Sequence, residues 1–229
     1  MHKGLFEQIV DFDDDVYRTI PSIRVSEDLL DDLSDSPAER AYGEAIVESS
    51  VQRIDQSSLI TAPFRYGTAV GAASYGRPVT RFSDGTRFGV WYGSGDLVTT
   101  VHETVFHWKR FVGSMQTALS EEVKAERRVF LVHLKGLLVD LRGKHKKFPG
   151  LVDKNSYAFT HAVGAYLHDQ GQNGLLVMSA RHAGGFNAAV FRPEALSNPR
   201  THCYLTYRWK PGRETVKVER TAGRTWMDV

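Results

Sequence analysis

The sequence predicts one α+β domain of mixed, mainly antiparallel sheet with interposed helices, preceded by an N-terminal helical extension. Three observations lead there. Short runs of alternating apolar and polar residues recur along the 229 residues, with stretches of three- and four-residue apolar spacing between them. Hydrophobic residues make up 41% of the chain, and twelve Phe, nine Tyr and four Trp supply the bulk of a packed core, which excludes a disordered chain. Residues 1–50 hold 13 acids and 4 bases while residues 51–229 hold 14 acids and 25 bases, so the net charge of +2 conceals an acidic extension, residues 1–57, and a basic domain, residues 58–229.

In chain order, Val16-Tyr17-Arg18-Thr19-Ile20 alternates like a strand ahead of Pro21. Ser36-Pro37 then offers a cap and a proline at the first helical position, and Ala45, Ile46, Val51 and Ile54 carry a partly amphipathic helix to about residue 56. Its acids read as a solvated face. Residues 60–95 are rich in Gly, Ser, Thr and aromatics, with strand character at Phe88-Gly89-Val90-Trp91-Tyr92. Val98, Val101, Val105, Trp108 and Val112 predict a helix over 97–112. Arg128 to Leu141 reads as one long strand or two joined at Gly136, followed by a basic loop over 142–150. Asn155 or Ser156 is positioned to cap a helix bearing Phe159, Ala162, Ala165 and Leu167 and stopping near Gly171. Gly174 to Met178, Asn187 to Phe191 and His202 to Trp209 read as strands, and Thr215 to Glu219 pairs back on the last of them across Pro211-Gly212.

Several function classes drop out. No apolar run approaches the roughly 18 to 20 residues of a membrane span, and the first residues lack a signal core, so the expected location is the cytoplasm. The single cysteine, Cys203, leaves no internal disulfide and no cysteine-rich zinc site. His102-Glu103-Thr104-Val105-Phe106-His107 resembles a zinc-protease helix, but histidines five apart stand about 140° apart instead of about 40°, so no metal is expected. Gly93-Ser94-Gly95 lacks the spacing of a serine-hydrolase elbow, and no phosphate loop or dinucleotide fingerprint occurs. The basic residues 142–147, with Tyr207-Arg208-Trp209-Lys210 as aromatic companions, lie in no recognised nucleic-acid module, and a solvated loop is the preferred reading.

What remains is an ordered set at element boundaries: Pro63-Phe64-Arg65-Tyr66-Gly67, Thr80-Arg81-Phe82-Ser83-Asp84-Gly85, Val90-Trp91-Tyr92-Gly93-Ser94, Glu103 within a helix, then Met178-Ser179-Ala180-Arg181 and Gly184-Gly185-Phe186-Asn187. This order resembles the RES domain family, named for its arginine, glutamate and serine, over about residues 58–195. By that resemblance Arg81 is the family arginine, Glu103 its glutamate and Ser179 its serine, with Arg65, Tyr66, Tyr92 and Asn187 as further pocket residues. The family has glycine and a small residue just before its arginine, whereas Val79-Thr80 stand here, and Arg87 stays open as the alternative.

The resemblance implies an ADP-ribosyltransferase-like core and cleavage of NAD between nicotinamide and ribose, by a toxin held in check by a helix-turn-helix antitoxin. NAD is then a substrate and no prosthetic group is needed. The acceptor is open: inorganic phosphate as co-substrate, water, or a protein side chain. The residue types suit the chemistry. Nicotinamide leaves neutral from a pyridinium, so no acid is required, and a carboxylate beside the ribose stabilises charge that develops only in the transition state. Arginines match the planar acceptors of a pyrophosphate dianion. Tyr66 and Tyr92 are suited to stacking on a ring or holding the ribose, and Ser179 either bonds the substrate or caps a turn. The competing classes are a nucleotide-binding protein without turnover and a nucleic-acid-binding domain. Contact with nucleic acid is otherwise expected only through the antitoxin, and the extension is expected to cover the basic surface or to join two copies.

Overall fold

The computed structural model describes residues 4–22, 56–65, 79–115 and 121–229. The helix expected to end near residue 56 and the tyrosine at 66 fall outside them. Eight strands form a single mixed sheet: β1 (Ile9–Pro21), β2 (Trp91–Ser94), β3 (Val123–Asp140), β4 (Gly174–Met178), β5 (Phe186–Val190), β6 (Leu196–Trp209), β7 (Lys217–Thr221) and β8 (Arg224–Asp228). The helices are α1 (Gln56–Arg65), α2 (Leu97–Gly113) and α3 (Ala158–Asp169). Among the described residues, no helix is long and apolar enough to cross a membrane.

β3 organises the sheet. One edge pairs with β1 along its length, from Ile9 opposite Val139 to Pro21 opposite Arg127. The other edge pairs with β6 as far as Leu134, then passes Gly136, at φ 150°, and pairs in parallel with β4 at Val139 and Asp140. β4 pairs with β5, β5 with β2, and β2 with β1 at Ser94 and Tyr17, so five strands close into a ring while β6, β7 and β8 continue outward. All five contribute to one apolar cluster: Val16, Trp91, Val132 and Leu138, Leu176, and Ala188 with Val190. A second core lies under α3, and a third packs Val101, Val105 and Trp108 of α2 against Leu205 and Tyr207 of β6.

The charge split of the sequence becomes local pairing. Asp13 and Asp15 share one face of β1 and stand opposite Lys135 and His133 in register; Lys135 Nζ lies 2.5 Å from Asp13, and Arg200 of β6 binds Asp15. The hydrogen bond from Lys135 holds the Asp13 carboxyl below its ordinary range. Solvent screens these pairs, but a one-residue slip would set acid against the wrong neighbour on every step, so they reinforce the register.

Three local readings change. The cap expected at Asn155 or Ser156 is displaced: Asp153 accepts the backbone N–H groups of both residues and α3 starts only at Ala158. α1 falls where no helix is expected from the sequence. Its Pro63 lacks the N–H that would bond Leu59 carbonyl oxygen, and that oxygen accepts the indole N–H of Trp91 at 3.1 Å instead. β8 extends the sheet beyond the last expected strand through a turn at Gly223, φ 74°.

α3 positions the loop carrying Arg81. His161 Nε2 donates to the Thr80 carbonyl at 2.9 Å, and a Cβ on Gly164 would lie 1.9 Å from the Phe82 carbonyl oxygen. Gly164→Ala is therefore expected to push α3 off this loop and cost about 1–3 kcal/mol of stability. Urea unfolding checks this, and an unchanged midpoint would contradict the close approach.

Candidate active site

Along the outer face of the ring, period-two rows turn from apolar to polar at one end of the sheet. Leu175 and Val177 lead to Ser179 just past β4, Ala189 leads to Asn187 on β5, and Tyr92 leads to Ser94 on β2. α2 lies across this end. Its start is fixed by Asp96, which accepts the Thr99 backbone N–H at 2.8 Å and the Thr99 hydroxyl at 2.6 Å.

Glu103 projects from α2 into these polar ends and is 8% exposed. Ser179 Oγ and Asn187 Nδ2 each donate to its Oε1, both at 2.7 Å. Asn187 Oδ1 accepts from Ser94 Oγ at 2.8 Å, so β2, β5, the turn after β4 and α2 meet in one buried chain of hydrogen bonds. Neither bond to the carboxylate uses Oε2. Ser179 has no capacity left: its one proton goes to Glu103 and its oxygen accepts the backbone N–H groups of Arg181 and His182, both at 3.0 Å. It caps the turn and aims the carboxylate together.

That turn is tied to the start of α2. A Cβ on Gly185 would lie 2.0 Å from Thr99 Oγ1, and His182 Nδ1 lies 2.8 Å from the same oxygen. Because the Thr99 proton is committed to Asp96, His182 must carry its proton on Nδ1 and donate. His102 stacks on His182 with centroids 4.7 Å apart and planes within 5°. Burial, and then the neighbouring imidazole, depress the His102 pKa.

Several buried polar atoms nearby lack hydrogen-bond partners of normal geometry, among them one on Arg81 and one on Tyr92. Arg81, 6% exposed, spreads its guanidinium over Tyr157 with 4.7 Å to the ring centroid and donates through Nη1 to the Asp153 carbonyl at 2.8 Å; its Nη2 has no partner. The Tyr92 hydroxyl faces the Asn187 side chain without a hydrogen bond of normal geometry, and burial, with the charge of Glu103 adding to it, raises its pKa well above 10.0, so it stays a neutral phenol. An unmatched buried polar group costs about 1–3 kcal/mol, so such groups mark a place shaped for something else.

The structure thus brings Glu103, Ser179, Asn187, Tyr92 and Arg81 into one neighbourhood. Arg87 is elsewhere, exposed and bonded to Asp169 at 2.7 Å. Arg65 ends α1 as an exposed residue. Sequence reasoning quoted Ser94 within its ordered set but gave it no role in the site. The two-residue period of β2 carried the signal for Ser94, because it shares the face of Tyr92. Among the described residues no group of three His, Cys, Asp or Glu side chains is arranged to hold a metal. A separate cleft of about 530 Å³, lined by Pro21, Thr104, Trp108, Phe111 and Arg127 among others, contains no member of the Glu103 chain. The aromatic companions of the basic loop belong to the core, Tyr207 at 0% and Trp209 at 8% exposure, so neither is free to stack on a base.

Comparison with known proteins adds a family match: the RES domain model covers residues 50–210. No curated protein matches the chain. Among solved structures, the chain is similar to one in the M. tuberculosis MbcT–MbcA toxin–antitoxin complex, with 13% identity, 86% of each chain covered and a TM-score of 0.49.

Proposed function

The chain belongs to the RES domain family, and on that premise we propose that it is an NAD-consuming toxin that breaks the nicotinamide–ribose bond and passes ADP-ribose to inorganic phosphate or water. The carrying observation is the buried Glu103 carboxylate, with Oε1 held by Ser179 and Asn187 and Oε2 left out of those bonds.

In this reading Oε2 accepts the 2′-hydroxyl of the nicotinamide ribose and faces the positive charge that grows on C1′ as the bond to nitrogen lengthens. Nicotinamide departs with the bonding electron pair and is neutral. The acceptor oxygen then bonds to C1′; water loses a proton in doing so, and phosphate gives the 1″-phosphate of ADP-ribose. Fixing Oε1 with two donors holds the carboxylate in place before the charge appears, where preorganised electrostatics act most strongly. In the same reading Ser179 and Asn187 are positioning residues, and the phenol of Tyr92 bonds the ribose. Arg81 neutralises part of the pyrophosphate. The family's helix-turn-helix antitoxin is the expected protein partner.

Purified protein is to be incubated with NAD, with and without phosphate, and nicotinamide, ADP-ribose and ADP-ribose 1″-phosphate resolved by chromatography. Nicotinamide release above blank is expected, and the second product identifies the acceptor. No release in either buffer would sink the enzyme reading.

A further inference from the structure

Arg181 belongs to none of the roles above, yet its surroundings mirror those of Arg81. Its guanidinium lies over Phe106, with 3.4 Å from Cζ to the ring centroid, and Phe106 stands one helical turn beyond Glu103 on α2. Arg181 Nη2 donates to the Lys154 carbonyl at 2.8 Å, while Arg81 Nη1 donates to the Asp153 carbonyl at 2.8 Å. The two guanidinium groups are therefore anchored on successive residues, whose Cα atoms are about 3.8 Å apart. Each is stacked on an aromatic ring, and each keeps one buried nitrogen without a hydrogen-bond partner: Nη2 of Arg81 and Nε of Arg181. Both charges, with that of Arg110, oppose protonation of His107, whose pKa is depressed first by burial.

We propose that Arg81 and Arg181 form a paired site for one phosphoryl group, each donating the N–H that its carbonyl anchor leaves over. Two cations anchored on successive carbonyls with unspent donors are unfavourable alone and favourable around a dianion, and the planar fork of arginine fits phosphoryl oxygens. Stacking fixes each guanidinium plane before the ligand arrives, which lowers the ordering cost of binding. The assignment rests on the NAD reading for its position beside Glu103. The phosphoryl group is either part of the NAD pyrophosphate or the inorganic phosphate acceptor, and both share the chemistry.

The test is titration calorimetry of the unmodified protein, Arg181→Gln and Arg181→Lys with ADP-ribose and with inorganic phosphate alone. Arg181→Gln is expected to weaken at least one of these ligands by about ten- to a hundredfold, the usual range for losing a hydrogen bond to a charged group. Arg181→Lys, which keeps the charge without the fork, is expected to fall between. Loss confined to ADP-ribose assigns the site to the pyrophosphate, and loss confined to phosphate assigns it to the acceptor. Unchanged affinity for both ligands in either folded variant overturns the proposal. Because neither ligand is turned over, a protein that releases no nicotinamide yet loses phosphate affinity in Arg181→Gln would refute the NAD reading and leave the paired-arginine site standing.

Discussion

Glu103→Gln is expected to lower the rate of nicotinamide release by about 10²–10³-fold, the range seen when one preorganised transition-state contact is removed. The substitution suits this site because both hydrogen bonds end on Oε1. A glutamine oxygen accepts from Ser179 and Asn187 in the same way, so the buried chain survives, and the amide NH₂ replaces the oxygen that the mechanism uses. The folded protein changes little, while the acceptor for the ribose hydroxyl and the negative charge beside C1′ are both lost. The measurement is kcat for nicotinamide release beside a thermal melt. A folded Glu103→Gln protein keeping more than a tenth of the rate would remove Glu103 from the chemistry; a loss of rate with a collapsed melt would show that it only holds the fold.

Trp91→Ala is expected to cost about 3–5 kcal/mol of stability, the range for deleting a large buried aromatic. Trp91 is fully buried and lies in the cluster shared by the ring strands. Its indole crosses the backbone of Gly93, where a Cβ would come within 2.6 Å of the ring, and its N–H binds the Leu59 carbonyl freed by Pro63. Truncation opens a cavity and leaves that carbonyl unmatched, so two penalties add. Denaturant unfolding reads the effect, and a loss below about 1 kcal/mol would mean that the ring closes without the indole. Trp91→Phe refills most of the cavity but not the hydrogen bond, which separates the two contributions.

The residue order shared with the RES family picked out the candidate site, and periodicity placed its members on elements. Glu103 lies in a helix announced by Val101, Val105 and Trp108, and Ser179 follows a strand whose five residues match those read from the sequence. What escaped depended on tertiary partners. α1 contains Pro63, which argues against a helix unless another donor takes the orphaned carbonyl, and that donor is 32 residues away. The length of β3 rests on three different neighbours, so local alternation near Gly136 left one strand or two equally open. Arg181 stood two residues after Ser179 in the ordered set without a role of its own, because Phe106 and the Lys154 carbonyl come beside it only in the fold.

The closed ring also governs when the site can exist during synthesis. During synthesis β1 waits for β3 more than a hundred residues later, and Glu103 bonds a partner 84 residues downstream. At roughly 5–20 residues per second, that interval lasts about 4 to 17 seconds. Until Ser179 is added near the end of that interval, the nascent chain has its glutamate but neither of the donors that aim it. The cost of so many long-range closures is slow folding; the return is that chains truncated before Asn187 lack the assembled carboxylate, so prematurely terminated translation yields fragments without the site.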